Sequence, residues 1–411
     1  MKDGKKSILI LGGTSIQLPI IQLAKEMGLY VITCDNKPSN PGHKLADEYH
    51  NVSIIDKDAV LALAKEKEVD AVVNYILEAG IQTAAYVNEM LCKPTSPYDS
   101  VRILSNKTLF RTFLRDNNFA VPRMFSCHTK EEALRQMTQS LAENAIDFPV
   151  VVKPCDLWGS RGVSRVDSID DYDAALDHAF SNSIYGEVIV EEFVEADGCP
   201  LEGDAFAVDG KLVSWLWADV YHDAEAENPI TPLFYTYPTA KPQAQIAAFN
   251  AELQRLITIL GMKTNAYNVE ARIGRNGKVY LMEVAPRDGG NEIPLTIQLA
   301  TGVDMTRGTL LSALGIDCKE IVSQRPCNGF WGSYLLHSNT GGTFEGVDFN
   351  EDFRQNHLKA YLPYMQPGDH VEPYSGTNCT IGMFIARYDT REEVEYLRQN
   401  IGQFVNLTMI K

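Results

Sequence analysis

The first hundred residues alternate short apolar runs with helical patterns, and this order limits the fold more than any other feature of the sequence. Residues 7–11 read Ser-Ile-Leu-Ile-Leu and end at Gly12-Gly13, while residues 30–35 and 70–74 form two further apolar runs. Helical patterns extend to about residue 27 and over 57–67. Apolar strands joined by helical crossovers are typical of a parallel sheet with both faces covered. The sequence therefore predicts a doubly wound α/β domain at this end.

A dinucleotide site is the first alternative for such a domain, with Asp35 at the ribose. The loop after the first strand reads Gly-Gly-Thr-Ser-Ile-Gln, however, and lacks the G-x-G-x-x-G spacing. That spacing lets the backbone approach a pyrophosphate, so the sequence disfavours NAD binding.

The pattern changes from about residue 102. Helices are predicted over 107–115, about 130–142 and about 242–260, and strands over 148–153, 186–194, 203–218 and 267–285. The last ninety residues predict strands and one late helix, which opens with the capping-box pair Thr390 and Glu393. We therefore divide the chain into an α/β domain (1–101), a central domain (102–315) and a β-rich domain (316–411).

A hairpin in the central domain predicts a metal site. Asn276-Gly277 between two apolar strands is a strong hairpin signal, and a two-residue turn would place Glu270 opposite Glu283. Opposed carboxylates repel each other unless a cation lies between them. Oxygen ligands of this kind suit Mg²⁺, which commonly takes one or two carboxylates plus phosphate oxygens. The alternative is a solvated face on which the repulsion is screened.

Three further motifs suggest phosphate and purine binding. An apolar strand ends in Lys153, and Lys107 lies on a preceding helix. Residues 159–163 read Gly-Ser-Arg-Gly-Val, a loop whose N–H groups could face phosphate oxygens, although a simple tight turn is the alternative. Residues 188–194 form an apolar strand that ends in two acids and could offer a purine both an acceptor and a backbone donor.

In this order, the motifs resemble those of the ATP-grasp superfamily. The matching positions are Lys107, Lys153, Gly-Ser-x-Gly-Val, Glu-Glu-Phe-Val, Glu270, Glu283 and Arg-x-Gly-Gly from Arg287. The resemblance implies a central two-lobed ATP-grasp fold with a mobile lobe at about 122–193. It also implies the α/β domain before the grasp and the β-rich domain after it.

The resemblance implies a role for each matched position. The expected ATP-binding residues are Lys107, Lys153, Gly159, Ser160, Arg161, Gly162, Val163, Glu191, Glu192, Val194 and Glu202. Glu191 would accept from the adenine amine, the backbones of Glu192 and Val194 would read the ring, and Glu202 competes with Glu195 and Asp197 for the ribose. Glu270 and Glu283 would hold Mg²⁺. Arg287 would contact the γ-phosphate and the carboxylate substrate, with Gly289 and Gly290 permitting close approach.

One position departs from the family pattern. An Asn commonly follows the second metal glutamate by two residues, and Ala285 stands there in this chain. The hairpin register places Asn268 opposite Ala285, so its amide could reach the same spot from the neighbouring strand. The number of Mg²⁺ ions stays open.

Within the superfamily, the chain most resembles the carboxylate–amine ligase branch, which includes L-amino-acid ligases, and carbamoyl-phosphate synthase-like proteins with a single grasp. The resemblance implies ATP and Mg²⁺ as cofactors, and small-molecule carboxylate and amine substrates joined through an acyl phosphate. A bicarbonate-using carboxylase of the biotin carboxylase or purine-pathway type and a non-catalytic ATP-binding regulator are the alternatives. His222, in a polar loop, is a further substrate candidate, with a plain surface histidine as the alternative.

Composition limits the remaining classes. The net charge of −17 disfavours nucleic acid as a partner, because phosphate backbones require a basic surface. The eight cysteines include no CxxC pair, which fits a reducing cytoplasm. No run approaches the ~18 apolar residues of a membrane span. We therefore expect a soluble cytoplasmic protein with no membrane partner; a homo-oligomer is compatible with the sequence.

Overall fold

The structure, a computed structural model, describes residues 4–156, 161–226 and 228–410. The amino-terminal unit contains strands β1 Ser7–Leu11, β2 Tyr30–Cys34, β3 Glu48–His50 and β4 Ala71–Asn74, and helices α1 Leu18–Glu26, α2 Lys57–Glu66 and α3 Ile81–Met90. All four strands are parallel, in the order β3-β2-β1-β4. The predicted doubly wound domain is therefore confirmed.

The apolar sequence of β1 explains why helices cover both faces of this sheet. Ile8 and Ile10 pack with α1 on one face, while Leu9 and Leu11 pack with α2 and α3 on the other. The loop that follows β1 is covered by the segment after β2, since a Cβ on Gly13 would lie 2.2 Å from the ring of His43.

Two helices lead from this unit to a small lobe. They are α4 Tyr98–Leu104 and α5 Lys107–Asp116. The lobe contains β5 Met124–Cys127, α6 Lys130–Ala142, β6 Val150–Pro154, β7 Ser164–Val166, α7 Ile169–Asn182 and β8 Val188–Glu192. Its antiparallel sheet has the order β5-β8-β6-β7 and packs its apolar face on α6 and α7.

The large lobe contains β9 Leu201–Val208, β10 Lys211–His222, β11 Pro232–Tyr237, α8 Gln243–Ile259, β12 Asn265–Ile273 and β13 Val279–Ala285. Helices α9 Ile293–Thr301, α10 Met305–Ala313 and α11 Lys319–Val322 follow. Val269 on β12 and Val284 on β13 pack in one buried core with α8 and α5. The alternate residues of these strands therefore face the small lobe, and this orientation positions the site described below.

The carboxyl-terminal part contains β14 Phe330–Leu336, β15 Gly342–Phe349, β16 Leu358–Pro363, β17 His370–Val371, β18 Gly382–Tyr388, α12 Arg391–Gln399 and β19 Val405–Ile410. Helix α12 begins at the predicted capping box of Thr390 and Glu393. Three of these strands extend the large-lobe sheet, whose order is β13-β12-β9-β10-β11-β14-β18-β16, while β17-β15-β19 form a small separate sheet. One sheet thus crosses residue 316; the three domain ranges stay a prediction.

The overall architecture agrees with the predicted fold class: a parallel α/β unit, a two-lobed centre and a β-rich end. No helix in the described part of the chain is both long enough and apolar enough to cross a membrane.

Candidate functional site

A cleft between the two lobes collects most of the predicted site residues. Lys107 comes from α5. The small lobe contributes β6, β8 and Val163, which directly precedes β7, and the large lobe contributes β9, β10, β12 and β13. The predicted residues that line this cleft are Lys107, Lys153, Val163, Glu191, Glu192, Val194, Glu202, His222, Glu270 and Glu283. Residues far apart in the sequence therefore meet at one place.

Three carboxylates stand side by side on the floor of the cleft. Glu270 pairs with Glu283 across β12 and β13, as predicted, and also with Glu202 across β12 and β9. Glu202 is buried, Glu283 is partly buried and Glu270 is open to the cleft. Desolvation by the surrounding cleft walls, followed by the charges of Glu283 and Glu202, raises the pKa of Glu270, and burial raises the pKa of Glu202 to about 7. Glu270 and Glu202 thus favour their protonated forms, and a divalent cation could displace those protons.

The tip of the β12–β13 hairpin differs from the prediction. The loop has three residues, 275–277, because Gly274 pairs with Lys278, and only Gly277 there has a positive φ, 73°. The predicted two-residue turn is therefore wrong. A β-bulge at Met282 restores the register, since Glu270 pairs with Glu283 but Ala271 pairs with Leu281. The bulge also turns Met282 into the cleft beside Glu283.

Glu191 lies in a network of ion pairs. Its carboxylate accepts from Lys153 Nζ at 2.6 Å and from Arg111 Nε at 2.6 Å and Nη2 at 3.4 Å. Burial alone would raise the pKa of Glu191, but Arg111 and Lys153 lower it to about 2. Both carboxylate oxygens are thus engaged by cations, and the predicted contact with an adenine amine would use a lone pair that these cations leave on Oε1.

The segment after β8 offers the groups that a purine requires. No described residue accepts a hydrogen bond from the Val194 N–H, while the Val194 carbonyl accepts from Arg272 Nη1 at 2.7 Å. Phe193 lies between two guanidinium groups, 4.3 Å from Arg165 and 4.7 Å from Arg272. The Glu192 side chain instead pairs with Arg123 at 3.1 Å. The backbone, rather than that carboxylate, is therefore the part of this segment available for ring recognition.

Part of the predicted phosphate loop can be described. Gly159 and Ser160 lie outside the described residues. Gly162 has a φ of 69°, and a Cβ there would lie 2.8 Å from Pro154 Cγ, so glycine suits this position. Val163 lines the cleft, whereas Arg161 and Gly162 line an adjoining hollow.

Arg287 lies at the junction of the large lobe and the amino-terminal unit, and it does not line the cleft. Its Nε donates to Glu78 Oε1 at 2.9 Å, Nη2 donates to the same oxygen, and Nη1 donates to the Asp288 carbonyl at 2.9 Å. Both side chains of the pair are about nine-tenths buried. Burial raises the pKa of Glu78, while Arg287 lowers it and Glu283 raises it. Glu283 therefore links this pair electrostatically to the row of acids.

Gly289 and Asn268 meet at a buried aspartate. The Gly289 N–H donates to Asp204 Oδ2 at 2.7 Å, and Asn268 Nδ2 donates to Asp204 Oδ1 at 3.0 Å. A Cβ on Gly289 would lie 2.4 Å from Asp204 Oδ1, whereas Gly290 has only Ile76 at 4.0 Å. Asn268 pairs with Ala285 as predicted. Its amide nitrogen faces Asp204, so only its oxygen remains for the metal contact that we predicted.

His222 and Glu202 have surroundings that bear on their predicted roles. Burial, followed by Arg272, lowers the pKa of His222 to about 4, so its imidazole is neutral at pH 7 in the cleft wall. Glu202 accepts from the Tyr235 hydroxyl at 3.0 Å. The rival ribose candidate Glu195 pairs with Arg275 at 2.8 Å, and Glu202 alone of the three candidates lines the cleft.

The donor set fits Mg²⁺ completed by phosphate oxygens. Within residues 4–156, 161–226 and 228–410, no group of three His, Cys, Asp or Glu side chains forms a ready-made metal site. Mg²⁺ does not require one, because it binds through one or two carboxylates together with water and phosphate. Glu270 and Glu283 supply such a pair, and Lys107 Nζ lies 3.7 Å from Glu283 Oε2, where it can balance a phosphate.

Comparison with known proteins finds a family match for the central part of the chain. Residues 146–294 match the ATP-grasp domain family, a segment that contains Lys153, Glu191, Glu270, Glu283 and Arg287. The chain carries an ATP-grasp domain.

Proteins similar to this chain are distant in sequence and close in fold. The ATP-grasp enzyme fsqD of Aspergillus fumigatus is 25% identical over 302 residues, covering 66% of this chain and 49% of fsqD. A formate-dependent phosphoribosylglycinamide formyltransferase of Rhodococcus jostii is 25% identical over 291 residues, covering 69% of each chain. The L-amino acid ligase of Bacillus licheniformis has a TM-score of 0.79 at 20% identity, covering 99% of both chains. The chain thus spans about half the length of fsqD, whereas its fold matches the whole ligase.

Two residues of the candidate site were not identified from the sequence. Arg111 follows Lys107 by four residues and so lies on the same face of α5, a spacing that could have indicated it. Glu78 precedes its partner Arg287 by 209 residues and belongs to another unit, and no local pattern marks it.

Proposed function

We propose that the protein is a Mg²⁺- and ATP-dependent ligase that phosphorylates a substrate carboxylate and transfers the acyl group to an amine. ADP and phosphate are the other products. The observation that carries the proposal is the row of Glu202, Glu270 and Glu283 facing Lys107 and Lys153 in one cleft. Acids that hold a cation and lysines that balance phosphate are the groups that phosphoryl transfer requires.

The nucleotide base would bind at the end of β8. The Val194 N–H is available to a ring nitrogen, and Met282 and Val151 supply apolar surface on opposite sides of the cleft. Lys153 of β6 pairs with Glu191 of β8 and its charge also acts on Glu270 and Glu283, so its ammonium group would contact the phosphates. This arrangement suits ATP lying with its phosphates towards Glu270 and Glu283.

The phosphate end would be neutralised from two sides. Mg²⁺ held by Glu270 and Glu283 would neutralise phosphate oxygens and make the γ-phosphorus more electrophilic. Lys107 approaches the same place from α5, and its pairing with Glu283 keeps its Nζ at the floor of the cleft. These fixed cations stabilise the charge that spreads over the transferring group.

Arg287 would bind the carboxylate substrate. A guanidinium group binds a carboxylate through two parallel hydrogen bonds, and Glu78 already occupies part of this fork. Asp204 fixes the backbone beside Arg287 through the Gly289 N–H, and Gly290, where a Cβ would meet only Ile76 at 4.0 Å, would give the substrate a close approach. The carboxylate oxygen attacks the γ-phosphorus, and the bond to the β-phosphate oxygen breaks to give an acyl phosphate and ADP. The amine then attacks the acyl carbon, phosphate leaves, and the amine loses a proton.

The relatives support this reaction class. The Rhodococcus jostii relative is a formate-dependent phosphoribosylglycinamide formyltransferase, and formate is a carboxylate while a glycinamide bears an amine. The Bacillus licheniformis structure is an L-amino acid ligase, which joins a carboxylate to an amine.

A substrate panel tests the proposal. ADP release is measured with MgATP and pairs drawn from carboxylates and amines, including formate and amino acids, and we expect release that needs both members of one pair. Hydroxylamine should replace the amine and give an acyl hydroxamate, because it traps an acyl phosphate. ADP release that bicarbonate supports would instead indicate a carboxylase.

Two variants give the panel its controls. Glu283→Gln should abolish ADP release, while Glu345→Gln, which removes one charge from an exposed position of β15, should leave it unchanged. Nucleotide binding without ADP release under every pair would contradict the ligase and favour a regulatory protein.

A further inference from the structure

Arg111, Glu191 and Lys153 form a group with one more positive than negative charge. Arg111 is fully buried on α5, the Glu191 side chain is 1% exposed, and Lys153 borders the cleft at 10%. Arg111 approaches Glu191 through Nε and Nη2, and Lys153 binds Oε2 at 2.6 Å. One carboxylate is thus engaged by two cations, although one would be enough to neutralise it.

Arg111 and Lys153 differ in how easily each can move away from Glu191. Arg111 Nη1 also donates to the Leu281 carbonyl on β13 at 3.3 Å, so its guanidinium is fixed to both lobes. The ammonium group of Lys153 lines the cleft with Lys107 and ends a flexible side chain. Arg111 therefore remains on Glu191 while Lys153 can turn towards the cleft.

We propose that Arg111 is a positioning residue that keeps Glu191 neutralised and thereby lets Lys153 move from Glu191 to the phosphates of a bound nucleotide. The inference rests on the nucleotide binding of the proposed function, but not on the ligase reaction.

The cost of an unpaired buried carboxylate gives the physical reason. If Arg111 were apolar, Lys153 would be the main neutralising partner of Glu191, and moving to phosphate would leave that carboxylate buried and alone. The nucleotide would then have to offset this desolvation. With Arg111 present, the guanidinium–carboxylate pair survives the transfer, and the phosphates meet a lysine whose charge is in surplus.

Nucleotide affinity provides the test, because adenosine lacks the phosphates that Lys153 would bind. Dissociation constants for MgADP and for adenosine are measured by calorimetry for the wild type and Arg111→Met. We expect the MgADP constant to rise on the order of 100-fold, as for an uncompensated buried charge, with adenosine changed less than about threefold. A loss of packing alone would weaken both ligands equally, and that result would overturn the proposal.

A second substitution should rescue the first. Arg111→Met combined with Glu191→Gln removes both charges, so Lys153 no longer has a carboxylate to leave, and MgADP affinity should return to within about fivefold of the wild type. Arg115→Met is the matched control, since Arg115 lies one turn later on α5, is exposed and pairs with Asp116. It should bind both ligands as the wild type does. A double variant as weak as Arg111→Met would refute the idea.

Folding is monitored by circular dichroism. If Arg111→Met does not fold, Arg111→Lys and the neutral double variant replace it, and the proposal expects both to bind MgADP within about fivefold of the wild type. Selective loss of MgADP affinity in both would overturn it. A wild-type protein that binds neither MgADP nor adenosine would overturn the proposed function together with this inference, whereas wild-type binding that Arg111→Met leaves intact would overturn the inference alone.

Discussion

Glu78 and Arg287 form a buried ion pair between the amino-terminal unit and the large lobe, and replacing each in turn should have different consequences. Both side chains are about nine-tenths buried, and two guanidinium nitrogens donate to the same oxygen. Removing one member of a buried pair leaves the other charge uncompensated and typically costs about 3–5 kcal/mol. We expect Glu78→Gln to cost about 3 kcal/mol at every pH between 6 and 8.5, because Arg287 cannot lose its proton.

Arg287→Met should cost less, and its cost should depend on pH. Burial already raises the pKa of Glu78, and removing Arg287 removes the group that lowers it. The folded variant then binds a proton on Glu78 that the unfolded chain, with a carboxyl of ordinary pKa, has lost. Its stability relative to the wild type therefore falls as pH rises from 6 to 8.5. The double variant should lie within about 1 kcal/mol of the wild type, since neither charge is left alone.

Urea unfolding of the four proteins at pH 6 and pH 8.5 measures these differences. A loss of about 3 kcal/mol should lower the midpoint by roughly 1 M, given the usual urea dependence. The single losses should exceed the double loss by about 2 kcal/mol or more, the coupling expected of groups in contact. Single losses that simply add in the double variant, or an Arg287→Met loss that is equal at both pH values, would refute this reasoning.

Three further changes concern the metal and substrate side of the cleft. The Mg²⁺ concentration for half-maximal ADP release should fall as pH rises from 6 to 8.5, by up to about tenfold per pH unit, because the cation displaces the proton that Glu270 holds at its raised pKa. Asn268→Ala should raise that Mg²⁺ concentration severalfold, because it removes the amide opposite Ala285 and a donor to Asp204, as Mg²⁺ titration would reveal. Gly289→Ala should raise the KM of the carboxylate substrate and lower stability by about 2 kcal/mol, because its Cβ would lie 2.4 Å from Asp204 Oδ1.

A different result would refute each of these three predictions. A Mg²⁺ requirement that is constant across this pH range would mean that the acids carry no displaceable proton. An unchanged requirement in Asn268→Ala would remove the amide from the metal site. Gly346→Ala is the control for Gly289→Ala, since a Cβ at Gly346 meets nothing within 4 Å, and equal effects of the two substitutions would contradict the steric argument.

The sequence identified residues whose role follows from local pattern. Strand β1 and the capping box before α12 were predicted because burial and capping act over a few residues. The Glu270–Glu283 pair was predicted correctly although the turn was not, since the three-residue loop and the bulge shift the register by one residue in opposite senses. Correct pairing thus rested partly on two deviations that cancel.

Other features depend on contacts that no local pattern encodes. Glu78 reaches Arg287 from a different unit, and Glu202 joins the acid row because β9 lies between β12 and β10. The continuation of the large-lobe sheet into β14, β18 and β16 likewise depends on which strands pair, and pairing between distant strands, such as Phe234 with Tyr334, leaves little trace in composition. The ion pair between Arg111 and Glu191 could not be predicted without knowing where α5 packs.

The bulge at Met282 separates the register of the hairpin tip from that of the carboxylates, and this separation has a practical use. It separates two registers along one ladder, so the pairing of residues 271–281 is not transmitted to the carboxylates beyond it. The tip around Asn276 is exposed and lies at the other end of this ladder from the acids. A reporter group or a short inserted peptide attached there should therefore leave the acids in register, which makes this loop a suitable place for a fluorophore that follows the cleft as ligands bind.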